Sequence, residues 1–165
     1  MNVLTSAGVG GPSALFSDAD FEALLRNPKS ELSKTIAKAP SPSDNKGYVY
    51  AIMSPAMPGA IKIGFSADPS TRIDGEHRIC YKSVERLMEP VSMVYEKLAE
   101  RAVKKILQTF GHELTDVVCG GYHKCKHKEW FKPREGADFG EWMATVRNAI
   151  EWVSRTACTG GSEKR

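Results

Sequence analysis

The stretch that decides the fold is Gly47-Tyr48-Val49-Tyr50 with its partner a dozen residues on, Ile61-Lys62-Ile63-Gly64. Each piece is short and rich in β-branched and aromatic residues, which suit a pleated, half-buried surface. Between them runs Ser54-Pro55-Ala56-Met57-Pro58-Gly59, a cluster of turn formers. Two strand signals joined by a Pro/Gly turn predict a hairpin. Polar groups interrupt both strands: tyrosine hydroxyls on the first, Lys62 on the second. Whether they are chemistry or strand surface depends on what the rest of the chain brings to them.

Downstream, Asp68-Pro69-Ser70-Thr71-Arg72-Ile73 starts a helix, with Asp68 as cap and Pro69 at the first helical position; Gly75 limits its length. Pro90 to Tyr95 alternates and predicts a third strand. Lys97 to Phe110 (KLAERAVKKILQTF) is the clearest helix, its apolar stripe made by Leu98, Ala102, Ile106 and Phe110, and Gly111 ends it. Glu129-Trp130-Phe131 is a short aromatic piece closed by Pro133. Asp138 to Thr156 is a final amphipathic helix, with Trp142, Val146 and Ile150 on its inner face.

Upstream, Ser17 caps a short helix with acids in its first turn. Lys38 to Lys46 (KAPSPSDNK) is a Pro/Ser-rich linker. The expected organisation is a flexible N-terminal segment with a short helix (1–45), a folded domain with a C-terminal helix (46–157) and a disordered tail (158–165). The fold class is α+β: a small three-stranded, mainly antiparallel sheet flanked by helices.

The chain of 165 residues is long enough for a real core, and its 41% hydrophobic and 26% charged residues are ordinary. A net charge of +3 is too small to identify a nucleic-acid partner by itself. No apolar run is long enough to span a membrane, and no stretch has the pattern of a signal peptide, so an intracellular location (cytoplasm or nucleus) is expected. In a reducing compartment the four cysteines favour metal binding or free thiols over disulfides. The sequence is silent on oligomeric state.

Gly47 to Tyr50, the Lys62-Ile63-Gly64 triplet, Arg72 and a glutamate on a helix, Glu100, together resemble the GIY-YIG nuclease superfamily. Arg72 follows Lys62 by ten residues, the spacing of the superfamily's catalytic arginine after its second motif tyrosine. With the later Glu-Trp-Phe, the pattern is most similar to the phage-orf-type DNA-binding branch found in phage and fungal proteins. The resemblance covers roughly residues 47–131. It implies phosphodiester cleavage with one divalent metal, Mg²⁺, held by Glu100. It implies that Tyr50 activates or orients the attacking water and that Arg72 stabilises the charge of the pentacovalent phosphate. Lys62 stands where the second motif tyrosine would be; its ammonium would bind phosphate or lower a neighbouring tyrosine's pKa. The superfamily's late asparagine has no evident counterpart, and Glu129 stands nearby. Read without the resemblance, Tyr50 is a half-buried sheet residue, Glu100 an exposed ion pair with Lys104 and Arg72 a solvated helix residue.

Cysteine and histidine form a second constellation. Cys119, Cys125 and His127, with Cys80 (or His77) from an earlier loop and His123 between, would supply the thiolate and imidazole set of a structural Zn²⁺. The alternative is a loop of free thiols and exposed histidines. Charge forms a third. Lys104, Lys105, Lys124, Lys126 and Lys128 concentrate positive charge in the second half; the last three alternate, so an extended segment would project them on one side to follow a phosphate backbone. Three functions stand: a DNA-acting, metal-dependent nuclease, a non-catalytic DNA-binding module of the same fold, and a zinc-stabilised protein-interaction adaptor.

Overall fold

The hairpin forms where its turn residues put it. In the computed structural model, strand β1 (Gly47–Met53) pairs antiparallel with β2 (Ile61–Ser66), Tyr50 opposite Gly64 and Ile52 opposite Lys62. The structure describes residues 13–77, 83–114, 117–118, 126–127 and 129–163. Gly59, at φ +77°, supplies the left-handed residue that closes the turn.

Around the hairpin the sheet is larger than the three strands expected. The short strands β3 (Glu85–Arg86) and β4 (Val91–Met93) both pair with the outer side of β1. On the other side β2 pairs with β8 (Trp130–Pro133), which pairs with β5 (Gly111–Glu113). All these pairings are antiparallel, giving six strands. Strands of two to four residues, such as Glu85–Arg86, are too short to show a period of two, so sequence pattern alone passes over them. Two further pieces, β6 (Val117–Val118) and β7 (Lys126–His127), pair with each other outside this sheet.

Among the described residues, five α-helices accompany the sheet. α1 (Asp18–Arg26) and α2 (Glu31–Ala37) precede the sheet; α3 (Pro69–Thr71) follows the hairpin and runs into a π-helical turn, Arg72–His77. α4 (Glu96–Phe110) and α5 (Phe139–Glu163) are the long ones. Residues 15–37 pack onto the domain, where the sequence reading expected a flexible segment with one helix. Phe21 is fully buried against Phe110 and Trp152, and the Trp152 indole donates to Glu22 Oε2 at 2.9 Å. The linker also has a structural task. Asp44 is buried, and its carboxylate accepts from the backbone N–H groups of Lys97 (2.8 Å) and Leu98 (2.9 Å), capping α4. α5 extends beyond the boundary expected at residue 157.

The sheet separates two clusters. Val49, Ala51, Ile61 and Ile63 join the helices in the larger one, with Ala102, Val103, Trp142 and Ile150. Tyr50 and Ile52 point the other way, toward Ala60, Ile73, Val84 and Trp130. Strand alternation thus sends the odd-numbered residues of β1 and β2 into the main core and the even-numbered ones to the face where the site lies.

Candidate functional site

Tyr50, Lys62, Arg72 and Glu100 line one cleft of about 140 Å³, together with Gly64, Phe65 and Glu129. Each wall has a local cause. Tyr50 and Lys62 come from neighbouring strands. The Tyr50 ring crosses its partner strand at Gly64, where a Cβ would run into the ring and hydroxyl, so that position requires glycine. Arg72 is delivered by the α3 turn, which Asp68 caps by accepting from the Thr71 hydroxyl (2.7 Å) and backbone N–H (3.3 Å). Glu100 sits on α4 beside Ala99 and Ala102, both fully buried, and is itself only 4% exposed. Small neighbours let the helix lie close enough for a carboxyl to reach the cleft.

Glu129 enters from the start of β8 with a backbone φ of +74°, a left-handed conformation that a side-chain-bearing residue adopts at a cost of about 1–3 kcal/mol. Hydrogen bonds hold it there on both sides. Its N–H donates to Glu113 Oε2 at 2.9 Å, and its carbonyl accepts from the Ile63 N–H at 3.0 Å. Glu113 is in turn held by the Gln108 amide, at 3.1 Å.

The charged groups form a network. Lys104 Nζ lies 2.9 Å from Glu129 Oε2 and 3.5 Å from Glu100 Oε1, and Lys62 Nζ lies 3.5 Å from Glu129 Oε1. Glu100 and Glu129 are thus joined through Lys104, which contacts both carboxyls. Burial, followed by the charge of Glu129, pushes Glu100 up to about 7. Burial works the same way on Glu129 but is outweighed by the Lys104 hydrogen bond and the charges of Lys62 and Lys104, so Glu129 is held below the usual carboxylate range. Burial lowers Lys62 despite Glu129. Burial also opposes the charge on Lys104, but Glu100 and Glu129 raise it. Three basic side chains (Lys62, Arg72, Lys104) thus meet two carboxyls, of which Glu100 is pushed up to about 7. The cleft carries an excess of positive charge and suits an anionic group such as a phosphate.

Lys104, expected to contact nucleic acid, turns inward, its side chain 21% exposed, and ties the two carboxyls at the cleft. The i,i+4 ion pair between Glu100 and Lys104 exists, but it is buried rather than solvated. Lys105 is half-buried on α4. Cys80, Cys119, Cys125, Lys124 and Lys128 lie outside the described residues, and of Lys126 and His127 only the strand backbone is described. Among the described residues, no group of three or more His, Cys, Asp or Glu side chains is placed to hold a metal. None of the described helices is long and apolar enough to cross a membrane.

Glu129 is the site residue that sequence reasoning did not select. Its one signal is a charged residue directly before two fully buried aromatics, Trp130 and Phe131; only the backbone reversal turns it into the cleft.

The T5orf172 domain model matches residues 47–156. The chain belongs to the T5orf172 domain family. The match starts at the first residue of β1 and takes in every wall of the cleft. The domain is found in phage and fungal nuclease-associated proteins and points to a DNA-acting module with a nucleic-acid partner. Comparison with curated proteins and with solved structures found no match.

Proposed function

We propose that this domain is a metal-dependent phosphodiester hydrolase acting on DNA, of the GIY-YIG type. The observation that carries the reading is the convergence of Tyr50, Lys62, Arg72 and Glu100 on one positively charged cleft, from two strands, a turn and a helix. Arg72 and Lys62 bind the scissile phosphate, and Arg72 offsets the charge that develops on it. The Tyr50 hydroxyl, fixed over Gly64, orients the attacking water. Glu100 and Glu129 fit a hard cation: Mg²⁺ takes one or two carboxylates and completes its shell with waters and phosphate oxygens. Bound there, Mg²⁺ would supply charge neutralisation at the leaving oxygen.

A second reading has its own support. Lys62 and Lys104 already stand within 3.5 Å of the two carboxyls, and Lys62 replaces a motif tyrosine. Both facts favour a phosphate-binding module that no longer cuts. Supercoiled plasmid incubated with Mg²⁺ separates the two. The first reading expects nicking by the native protein and its loss in Glu100→Ala and Arg72→Ala. DNA binding without nicking establishes the module. Equal nicking by all three proteins defeats the hydrolase reading. Structural Zn²⁺ at Cys80, Cys119, Cys125 and His127 is a separate proposal, resting on ligand type alone; stoichiometric zinc in tag-free protein supports it, and its absence removes it.

A further inference from the structure

A second cleft is built from chain segments that adjoin those of the first. It holds about 370 Å³ and is lined by Tyr48, Ala67, Asp68, Pro69, Ser70, Arg86, Glu89 and Pro90. Neighbouring residues of the same two segments line the two clefts. Along β1, Tyr48 precedes Tyr50 by two residues, so both project from the same sheet face, about 6.6 Å apart along the strand. Along the opposite wall, Asp68, Pro69 and Ser70 lead directly to Arg72. An occupant of the phosphate cleft that is longer than one nucleotide has this path to follow.

The chemistry of the second cleft differs from that of the first. Tyr48 is 37% exposed, one of two large hydrophobic side chains that are exposed among the described residues. Its neighbour Tyr50 is 2% exposed. Tyr48 therefore presents part of its ring to the cleft that it lines. Pro69 and Pro90 give the cleft apolar edges. Arg86 is held at its rim by Ser70 Oγ at 3.1 Å and by ion pairs to Asp74 (3.8 Å) and Glu89 (3.6 Å). With Arg86 paired to Asp74 and Glu89, and Asp68 also on the wall, the cleft offers an aromatic platform that suits the face of an unstacked base rather than a phosphate.

We infer that Tyr48 and the cleft beside it form a subsite for an unpaired nucleotide flanking the bound phosphate. A base in a duplex is stacked on both faces, so a base that lies on Tyr48 has left its stack. The subsite therefore selects single-stranded or frayed DNA over blunt duplex. The inference rests on the proposed phosphate cleft.

The test is fluorescence anisotropy of the full chain with a labelled 12-nucleotide single strand and with a blunt duplex of the same sequence. Tyr48→Ala is expected to weaken single-strand binding about tenfold, the size of one base–aromatic stack, and to leave duplex binding unchanged. Tyr48→Phe keeps the ring and should bind like the native protein. A 2-aminopurine placed in the single strand should be quenched by the native protein and less so by Tyr48→Ala. The melting temperature should hold in Tyr48→Phe, and Tyr48→Ala is compared well below its own melting temperature, so that a stability loss is not read as lost binding. Equal single-strand affinity for native and Tyr48→Ala protein overturns the subsite. So does an equal loss on both DNAs. Arg72→Ala distinguishes the two levels. If it loses binding while Tyr48→Ala does not, the phosphate cleft stands and the subsite falls. If the native protein binds neither DNA, both fall together.

Discussion

The two faces of the β1–β2 hairpin are built from alternate residues of the same strands, yet they are under opposite rules. On one face Val49, Ala51, Ile61 and Ile63 are fully buried against helices and carry no polar atom in their side chains. On the other, Tyr50 and Lys62 are almost as deeply buried, but beside Glu100, Glu129 and Lys104. Apolar burial stabilises in proportion to area. Burial of charge costs free energy unless each group is paired, and pairing does not always recover the cost. The first face therefore explains why the domain folds. The second is a place where the fold keeps a cost, and functional sites are where such costs are expected. Substitutions that treat the two faces alike should give opposite results.

The largest effect is expected on the apolar face. Trp142 is fully buried, donates its indole N–H to the Phe131 carbonyl at 3.3 Å and packs so close to Gly111 that a Cβ there would strike the ring. Trp142→Ala should lower the unfolding free energy by about 3–5 kcal/mol, read from urea melts. A loss below about 1 kcal/mol would mean that α5 contributes little to this core and that the smaller cluster carries the fold.

A smaller effect is expected where the two strands cross on the polar face. A methyl group at Gly64 displaces the Tyr50 ring, and overpacking of this kind costs about 1–3 kcal/mol. Gly64→Ala should thus stay folded at room temperature while DNA affinity falls more than its stability loss explains, because Tyr50 is moved within the cleft. Anisotropy and thermal melts on the same samples check this. Unchanged affinity with lowered stability would make Tyr50 a packing residue only.

The contrast between the faces also shows what the sequence made legible. The apolar face was readable from a run of β-branched and aromatic residues before a Pro/Gly turn in Gly47–Met53, and from helical spacing in Glu96–Phe110 and again in α5. Four residues of the cleft were readable because their spacing matches a known pattern. The remainder was set by contacts that no local pattern records. The Glu129 side chain reaches the cleft through a left-handed backbone held by Glu113, a residue on a three-residue strand. Lys104 had the spacing of a surface ion pair, and only the depth of α4 against the sheet turned it inward. The second helix, α2, was missed although Ser30 caps it by accepting from the Ser33 N–H at 3.0 Å; its seven residues are too few for a convincing apolar stripe.

The last substitution should reverse the sign seen on the apolar face. Glu100 titrates near 7 in the folded protein, against 4.5 for an ordinary glutamate. The folded state therefore holds a proton that the unfolded chain has released over the window between those values. Stability from this group is complete below pH 4.5, is lost as pH rises toward 7 and stays lost above it. Glu129, held low chiefly by Lys104 and Lys62, runs the other way, and both lysines are present in native and variant protein alike. Glu100→Gln keeps the shape and removes the charge that burial opposes. It should therefore be more stable than the native protein at pH 8, by on the order of 1–2 kcal/mol. The gain should shrink through pH 6 and vanish near pH 4.5 in urea melts. A variant less stable than the native protein at pH 8 would mean that Lys104 stabilises the ionised carboxyl more than burial opposes it. A gain at pH 8, in a protein that Glu100→Gln renders unable to act on DNA, would mark the buried carboxyl as a group kept for chemistry at the expense of the fold.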